Sequence, residues 1–224
     1  MSANEPDELQ RIYGARFAQN RDYRNRVWQV LTAEFFSRYI RASDTVLDLG
    51  CGYGEFINHI ACARKYAMDL NPDAPKLLTP GITFLEQDCS TRWPLADASL
   101  DAVFTSNFFE HLPGKEALGR TLDEVKRCLV PGGCLIAMGP NIRYLPGSYW
   151  DFWDHHLALT DLSLEEALVT RGMSTVTRVA RFLPYTMAQG SNPPLIFLHA
   201  YLRLPFVWPL FGRQFLVVAR KPAP

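Results

Sequence analysis

A short apolar run followed by closely spaced glycines constrains this chain more than any other feature. The run is Val46-Leu47-Asp48-Leu49, and glycines follow at every second position, at Gly50, Gly52 and Gly54. Glycines this dense let the backbone turn sharply and approach a ligand, because no Cβ stands in the way. The apolar run predicts a buried parallel strand, and residues 56–61 predict the helix that follows it. Strand, glycine turn and helix together form a crevice of nucleotide size at the carboxyl end of a sheet.

The spacing of the glycines indicates which nucleotide the crevice accepts. A dinucleotide fingerprint requires Gly-x-Gly-x-x-Gly, but here the third glycine stands one residue early, at Gly54. Glu55 occupies the dinucleotide position, where a carboxylate would repel a pyrophosphate. Asp48 is a hydrogen-bond acceptor suited to an ammonium group. These residues favour a cationic, phosphate-free adenosine compound over NAD, with an ordinary strand-to-helix turn as the alternative.

The pattern Asp48-x-Gly50-x-Gly52-x-Gly54 resembles the first motif of the class I S-adenosylmethionine-dependent methyltransferases. The resemblance implies an α/β, Rossmann-like fold: a seven-stranded, mostly parallel sheet with helices on both faces and an antiparallel last strand. It implies S-adenosyl-L-methionine as cofactor and S-adenosyl-L-homocysteine as product. It also implies that the loop, including Cys51, contacts the cofactor.

Two later stretches continue the pattern in the family's order. Residues 64–70 read as a second strand ending in Asp69, which lies 19 residues past Gly50. A carboxylate about 20 residues past the glycine turn commonly accepts hydrogen bonds from the ribose hydroxyls, and we place Leu70 beside it in the cofactor site. Residues 82–89 read as a third strand, after which the family commonly has an acid that accepts from the adenine amino group and a backbone N–H that meets the ring. The resemblance assigns these parts to Asp88 and Cys89.

The fourth and fifth strands complete the resemblance. Residues 100–107 read as a strand ending in Asn107, where the family's fourth motif reaches the sulfonium and the acceptor. Residues 129–137 look like the start of the family's fifth strand, with a Pro-Gly-Gly turn. Five motif features stand in the family's order within ninety residues, which makes chance agreement improbable. The specific resemblance covers about residues 40–140, and the match is looser over 141–221.

Candidate bases for the acceptor's proton lie in two stretches. The first, residues 107–112, resembles the family's common Glu-His-Leu/Val ending and contains His111. The second, residues 151–156, contains His155 and His156 beside aromatic residues. Histidine suits this role because its unperturbed pKa near 6.5 lets it accept a proton at neutral pH. The alternatives are a loop-holding role for His111 and an exposed loop for the other two. Without further ligands at recognisable spacing we predict no metal.

Length and composition agree with one α/β domain carrying appendages. The chain has 224 residues, and its 23 Lys and Arg balance its 23 Asp and Glu. No long-range field therefore favours a polyanion, and we do not expect nucleic acid as a partner. Five scattered cysteines without a Cys-x-x-Cys pair predict reduced thiols. The N-terminus lacks the apolar segment of a signal peptide, so we expect a cytoplasmic enzyme.

The chain is expected to divide into a helical extension or lid, residues 1–43, and a methyltransferase domain, residues 44–224. In many small-molecule methyltransferases such an extension closes over the cofactor, which makes Tyr13 and Arg16 candidate contacts; simple packing on the sheet is the alternative. An apolar insertion is expected at about 190–212. Its core, residues 195–211, has three readings: a lid over an apolar acceptor, a homodimer contact, or a peripheral membrane contact.

These observations favour methyl transfer to a small molecule or sugar, at oxygen ahead of nitrogen or carbon, in a biosynthetic pathway. Two other functions stay open. One is an enzyme that uses another carbon of S-adenosylmethionine, by intramolecular cyclisation or aminobutyryl transfer. The other is a non-catalytic cofactor-binding interaction subunit, against which the intact acids of the cofactor motifs argue.

Overall fold

A twisted sheet of seven strands forms the centre of the computed structural model, which describes residues 21–185 and 192–223. The strands are β1 (Thr45–Leu49), β2 (Arg64–Asp69), β3 (Ile82–Glu86), β4 (Leu100–Ser106), β5 (Leu129–Pro140), β6 (Ser174–Val179) and β7 (Gln214–Arg220). Their order in the sheet is β3-β2-β1-β4-β5-β7-β6. Neighbours from β3 to β5 are parallel, whereas β7 is antiparallel to both β5 and β6. The expected seven-stranded, mostly parallel sheet with an antiparallel last strand is confirmed.

Helices cover both faces of the sheet. They are α1 (Arg21–Glu34), α2 (Glu55–His59), α3 (Lys115–Cys128), α4 (Asp161–Val169), α5 (Leu195–Arg203) and α6 (Trp208–Phe211). Successive residues of a strand point to opposite faces, so Leu135 of β5 packs in one core cluster and Ile136 in the other. The Leu135 cluster contains side chains of α3 and α4, and the Ile136 cluster contains those of α1, α2, α5 and α6.

The strand order places a crevice at one edge of the sheet. From β1 the chain moves outward through β2 and β3 and then returns to the other side of β1 as β4. Ligands of open α/β sheets bind outside the carboxyl ends of the strands at such a switch point, because the connecting loops diverge there. The loops after β1, β2, β3 and β4 therefore converge on one site.

The N-terminal region is helical where it is described. Helix α1 spans Arg21–Glu34 and a single 3-10 turn follows at Phe36–Arg38. Trp28 and Leu31 of α1 are buried in the core. Burial of a large apolar side chain stabilises a fold by about 1.5–3 kcal/mol. Residues 1–20 lie outside the described part of the chain, so the predictions for Tyr13 and Arg16 and the division at residue 43 stay predictions.

The apolar insertion forms two short helices, α5 and α6, joined by a 3-10 turn at Pro205–Val207. Leu202 and Trp208 anchor it in the core, while other large apolar side chains of the segment are exposed: Ile196, Phe197, Phe206, Leu210 and Phe211. Among residues 21–185 and 192–223, no helix combines the length and the apolar character that crossing a membrane requires.

Candidate active site

The glycine loop after β1 has a conformation that side chains would disturb. Gly50, Gly52 and Gly54 have φ values of 69°, 52° and 73°, in the left-handed region that favours glycine. A Cβ at Gly50 would overlap the ring of Phe108, which follows β4, and a Cβ at Gly54 would overlap the side chain of Leu78. The loop therefore needs glycine both for its turns and for its close packing.

Asp69, at the end of β2, ties this loop to the neighbouring strand. Its Oδ2 accepts a hydrogen bond from the backbone N–H of Gly52 at 2.7 Å, and its Oδ1 accepts from that of Asn71 at 2.9 Å. Burial raises the pKa of Asp69, while these backbone N–H groups, that of Leu70 and the charge of nearby His111 oppose the increase. The side chain of Leu70 is 39% exposed at the edge of the crevice.

A network of acids lies beneath the loop. Asp48 is buried, and burial, followed by the charge of Glu55, raises its pKa well above the ordinary value, although the backbone N–H of Ile57 donates to its carboxylate. Glu55 forms an ion pair with the buried Arg24 of α1. Burial raises the pKa of Glu55, and the charge of Arg24 opposes that rise. This pair joins the N-terminal helix to the start of α2.

The residues expected to meet adenine follow β3, which ends at Glu86, three residues before the end of the predicted strand. The backbone N–H of Ser90 donates to Asp88 Oδ1 at 2.8 Å, so a tight turn ends the strand. Cys89 is buried, and its sulfur lies 3.3 Å from Thr121 Oγ1. Burial raises the pKa of this thiol to about 12. The Cys89 side chain thus belongs to the core, and its backbone remains as the part that a ligand could meet.

Asn107 stands directly after β4 in a strained backbone conformation, with φ 50°. Its backbone N–H donates to the carbonyl of Met138 in β5 at 2.9 Å, and its Nδ2 donates to Ser106 Oγ at 3.0 Å. Its Oδ1 is buried and has no hydrogen-bond partner among the described residues. Such an atom is costly unless something else satisfies it, which makes Asn107 a ligand candidate.

A histidine–carboxylate pair forms next to this turn. His111 Nδ1 lies 2.9 Å from the carbonyl oxygen of Asp154 and 3.2 Å from its Oδ2. Both neighbours of Nδ1 are acceptors, so Nδ1 carries the proton and Nε2 is left as the basic atom. Burial lowers the pKa of His111, but the hydrogen bond and charge of Asp154 and the charge of Glu110 outweigh it, and the net pKa is raised.

Glu110 brings the two candidate stretches together. Its backbone carbonyl accepts from the N–H groups of His156 at 2.8 Å and Leu157 at 3.0 Å, which fastens the segment after β5 to the end of β4. Its side chain is buried, and burial raises the pKa of the carboxyl to about 7. The sequence pattern missed the pairing of His111 with Asp154, because 43 residues separate them.

The three candidate histidines differ in position. The rings of His111 and His155 lie 5.0 Å apart, and His155 is buried and stacked on Phe152 at 4.8 Å. The side chain of His156 is exposed. Ligand atoms of Glu110, His111 and His155 lie within 4.8 Å of one another, so the fold supplies a three-residue group that the sequence did not indicate. The absence of a metal stays a prediction.

Comparison with known proteins supports this reading of the crevice. Residues 47–137 match the family model described as a methyltransferase domain. A demethylmenaquinone methyltransferase from Symbiobacterium thermophilum is 25% identical over 215 residues, which cover 85% of this chain and 80% of that protein. The chain spans about half or less of the length of other curated methyltransferases that it matches.

Solved structures share the fold at lower identity. A methyltransferase from Haloferax volcanii, described as putative and solved in complex with the activator Trm112, superposes with a TM-score of 0.70 at 19% identity, covering 96% of this chain and 98% of that one. A SAM-dependent methyltransferase from Archaeoglobus fulgidus superposes with a TM-score of 0.67 at 20% identity, covering 92% and 99%. Domain match, fold and glycine loop agree on an S-adenosylmethionine-dependent methyltransferase domain over residues 47–137, with S-adenosylmethionine as its cofactor.

Proposed function

We propose that this methyltransferase acts on a hydroxyl oxygen of a small molecule or sugar, with His111 as the general base. The observation that carries the proposal is the His111–Asp154 pair, in which Asp154 occupies Nδ1 and leaves Nε2 of His111 as the basic atom just after β4. A base is needed because a hydroxyl acceptor must lose its proton, whereas an amine need only be neutral. The relative named for demethylmenaquinone supports a small-molecule acceptor.

The residues of the crevice fit S-adenosylmethionine. Asp69 has lone pairs beyond its two backbone hydrogen bonds that can accept from ribose hydroxyls, and Asp88 can accept from the adenine amino group. The loop that begins at Gly50 allows close approach of the backbone, and Asn107 offers its unpartnered Oδ1. When bound, S-adenosylmethionine supplies a methyl group on a sulfonium, which is a good leaving group. Asp48 lies buried beneath the loop with a raised pKa, and the positive charge of a bound sulfonium would favour ionisation of its carboxyl.

In this proposal His111 Nε2 takes the acceptor proton while Asp154 holds the ring through Nδ1. The carboxylate fixes the tautomer and stabilises the imidazolium that forms, as a hydrogen bond to the charged form raises basicity. His155 contributes by packing against His111, and His156 remains on the surface. Contacts with a partner subunit or a membrane through residues 195–211 stay predictions.

The test compares His111→Gln with His156→Gln as its matched control. Purified protein is incubated with S-adenosylmethionine and a panel of phenols, alcohols, sugars and amines, and S-adenosylhomocysteine is quantified by mass. We expect His111→Gln to lower turnover by about 10²–10⁴-fold, the usual contribution of a general base, with cofactor affinity by calorimetry nearly unchanged. The exposed His156 should tolerate the same change.

Equal turnover in the two variants would remove His111 as the base. Methylthioadenosine in place of S-adenosylhomocysteine would show that another carbon of the cofactor is used. Methylated amines without methylated hydroxyls would place the transfer at nitrogen.

A further inference from the structure

A cavity of about 200 Å³ lies between α1 and α5, on the face of the sheet opposite α3 and α4. Its walls are mainly apolar and include Val27, Trp28, Leu31, Met138 and Leu198. We call it the α1–α5 cavity. Its shape comes from the insertion: α5 packs over α1 and leaves a gap above the last residues of β5.

Gln214, the first residue of β7, is a polar group in this wall. It is 4% exposed, and its Nε2 donates to the carbonyl of Pro184 at 2.9 Å. Its Oε1 is buried without a hydrogen-bond partner among the described residues. Because an unpaired buried acceptor is costly, a ligand that donates a hydrogen bond to Oε1 would recover that free energy on binding.

Other polar groups at the cavity have partners within the protein. The hydroxyl of Tyr23 donates to the carbonyl of Pro193 at 2.8 Å, and Arg24 is paired with Glu55. Among the described residues, an entering ligand therefore meets a mainly apolar wall that includes Gln214, whose buried Oε1 lacks a hydrogen-bond partner.

The cavity adjoins the proposed methyl-transfer site. Gln214 pairs with Pro140 at the carboxyl end of β5, and Met138 accepts the backbone hydrogen bond of Asn107. Through Arg24 and Glu55 the α1 wall also contacts the glycine-loop helix. A molecule in the cavity would thus lie beside the turn that ends β4.

Size and polarity define the occupant. An apolar cavity of about 150 Å³ holds a benzene ring, so about 200 Å³ accommodates one substituted ring. A sugar would bring several hydroxyls to walls that cannot pair with them, which is costly. We propose that the α1–α5 cavity binds an apolar, single-ring part of the methyl acceptor that carries a hydroxyl or N–H donor, and that this donor bonds to Gln214 Oε1. The assignment to the acceptor rests on the proposed function; the binding of the ring does not.

The experiment measures ring binding by ligand-observed NMR titration, without cofactor, using phenol and its methyl ether, anisole. Phenol should bind the unmodified protein at least about tenfold more tightly than anisole, since each 1.4 kcal/mol is a factor of ten. Gln214→Met, of similar volume but without the acceptor, should bring the two affinities together. Leu198→Trp should fill the cavity and abolish both, whereas Leu162→Trp, on the exposed side of α4, should change neither.

Equal affinity of phenol and anisole for the unmodified protein, or no binding of either, would overturn the proposal even if a variant failed to fold. A separate calorimetric titration with S-adenosylmethionine distinguishes this failure from that of the proposed function. Cofactor binding without ring binding refutes the cavity assignment alone. Ring binding without cofactor binding refutes the proposed cofactor site and leaves the cavity standing.

Discussion

Glu110→Gln is expected to stabilise the protein at alkaline pH. Glu110 is 3% exposed, and one of its carboxyl oxygens, Oε1, has no hydrogen-bond partner in the described residues. Burial raises the pKa of this carboxyl from 4.5 to about 7, with the charge of His111 opposing the increase and that of Asp154 adding to it. Glutamine has nearly the same shape and no charge, so it removes the cost of ionisation with little change in packing.

The sign of the effect follows from which state holds the proton. Below pH 4.5 the carboxyl of Glu110 is protonated in both folded and unfolded chains, so this group adds no pH dependence to the free energy of unfolding there. Between 4.5 and about 7 the unfolded chain releases a proton that the folded chain retains, and the free energy of unfolding falls. At about 1.36 kcal/mol per pH unit, the loss approaches roughly 3 kcal/mol above pH 7. Removing Glu110 also weakens the support for charged His111, so this figure is an upper value.

Urea denaturation of the unmodified protein and of Glu110→Gln, followed by circular dichroism at several pH values from 5 to 8.5, measures this difference. The variant should be progressively more stable than the parent as pH rises, by up to about 3 kcal/mol. Glu166→Gln, which changes an exposed carboxyl of α4, should run parallel to the parent. A Glu110→Gln curve that is also parallel, or a variant that is less stable at pH 8.5, would refute the account of a buried, neutral carboxyl.

Two further predictions concern the crevice. Gly50→Ala should lower the free energy of unfolding by about 2–5 kcal/mol, because alanine is strained in the left-handed backbone conformation and its Cβ overlaps the Phe108 ring. Gly81 also has a positive φ but faces open space, so Gly81→Ala should show only the loss that comes from backbone strain. Equal losses of the two variants in thermal denaturation would contradict the packing argument. Asp69→Ala should weaken S-adenosylmethionine binding by about 1.5–3 kcal/mol in calorimetry. It should also lower the free energy of unfolding, because the backbone N–H of Gly52 loses its acceptor, whereas Asp69→Asn should retain more stability. Unchanged affinity in both variants would remove Asp69 from the cofactor site.

Local patterns predicted the cofactor half of the fold well. The strand before Gly50 and the strand ending at Asp69 were expected from apolar runs that end in turn residues, and the structure has them at Thr45–Leu49 and Arg64–Asp69. The third strand was predicted too long, because Asp88 turns the chain through the backbone of Ser90 and such a turn competes with strand pairing. The signal in each case lies within about ten residues of the feature.

The sequence by itself determined the glycine turn, the order of the acidic strand ends and the resemblance to the methyltransferase family, because these depend on neighbours along the chain. Only the tertiary structure decided which residues that are distant along the chain come into contact. His111 finds Asp154 because Glu110 anchors the segment after β5, and Gln214 faces α1 because β7 returns antiparallel beside β5. These pairings depend on strand order and helix packing, which bring together residues that no local period or spacing connects.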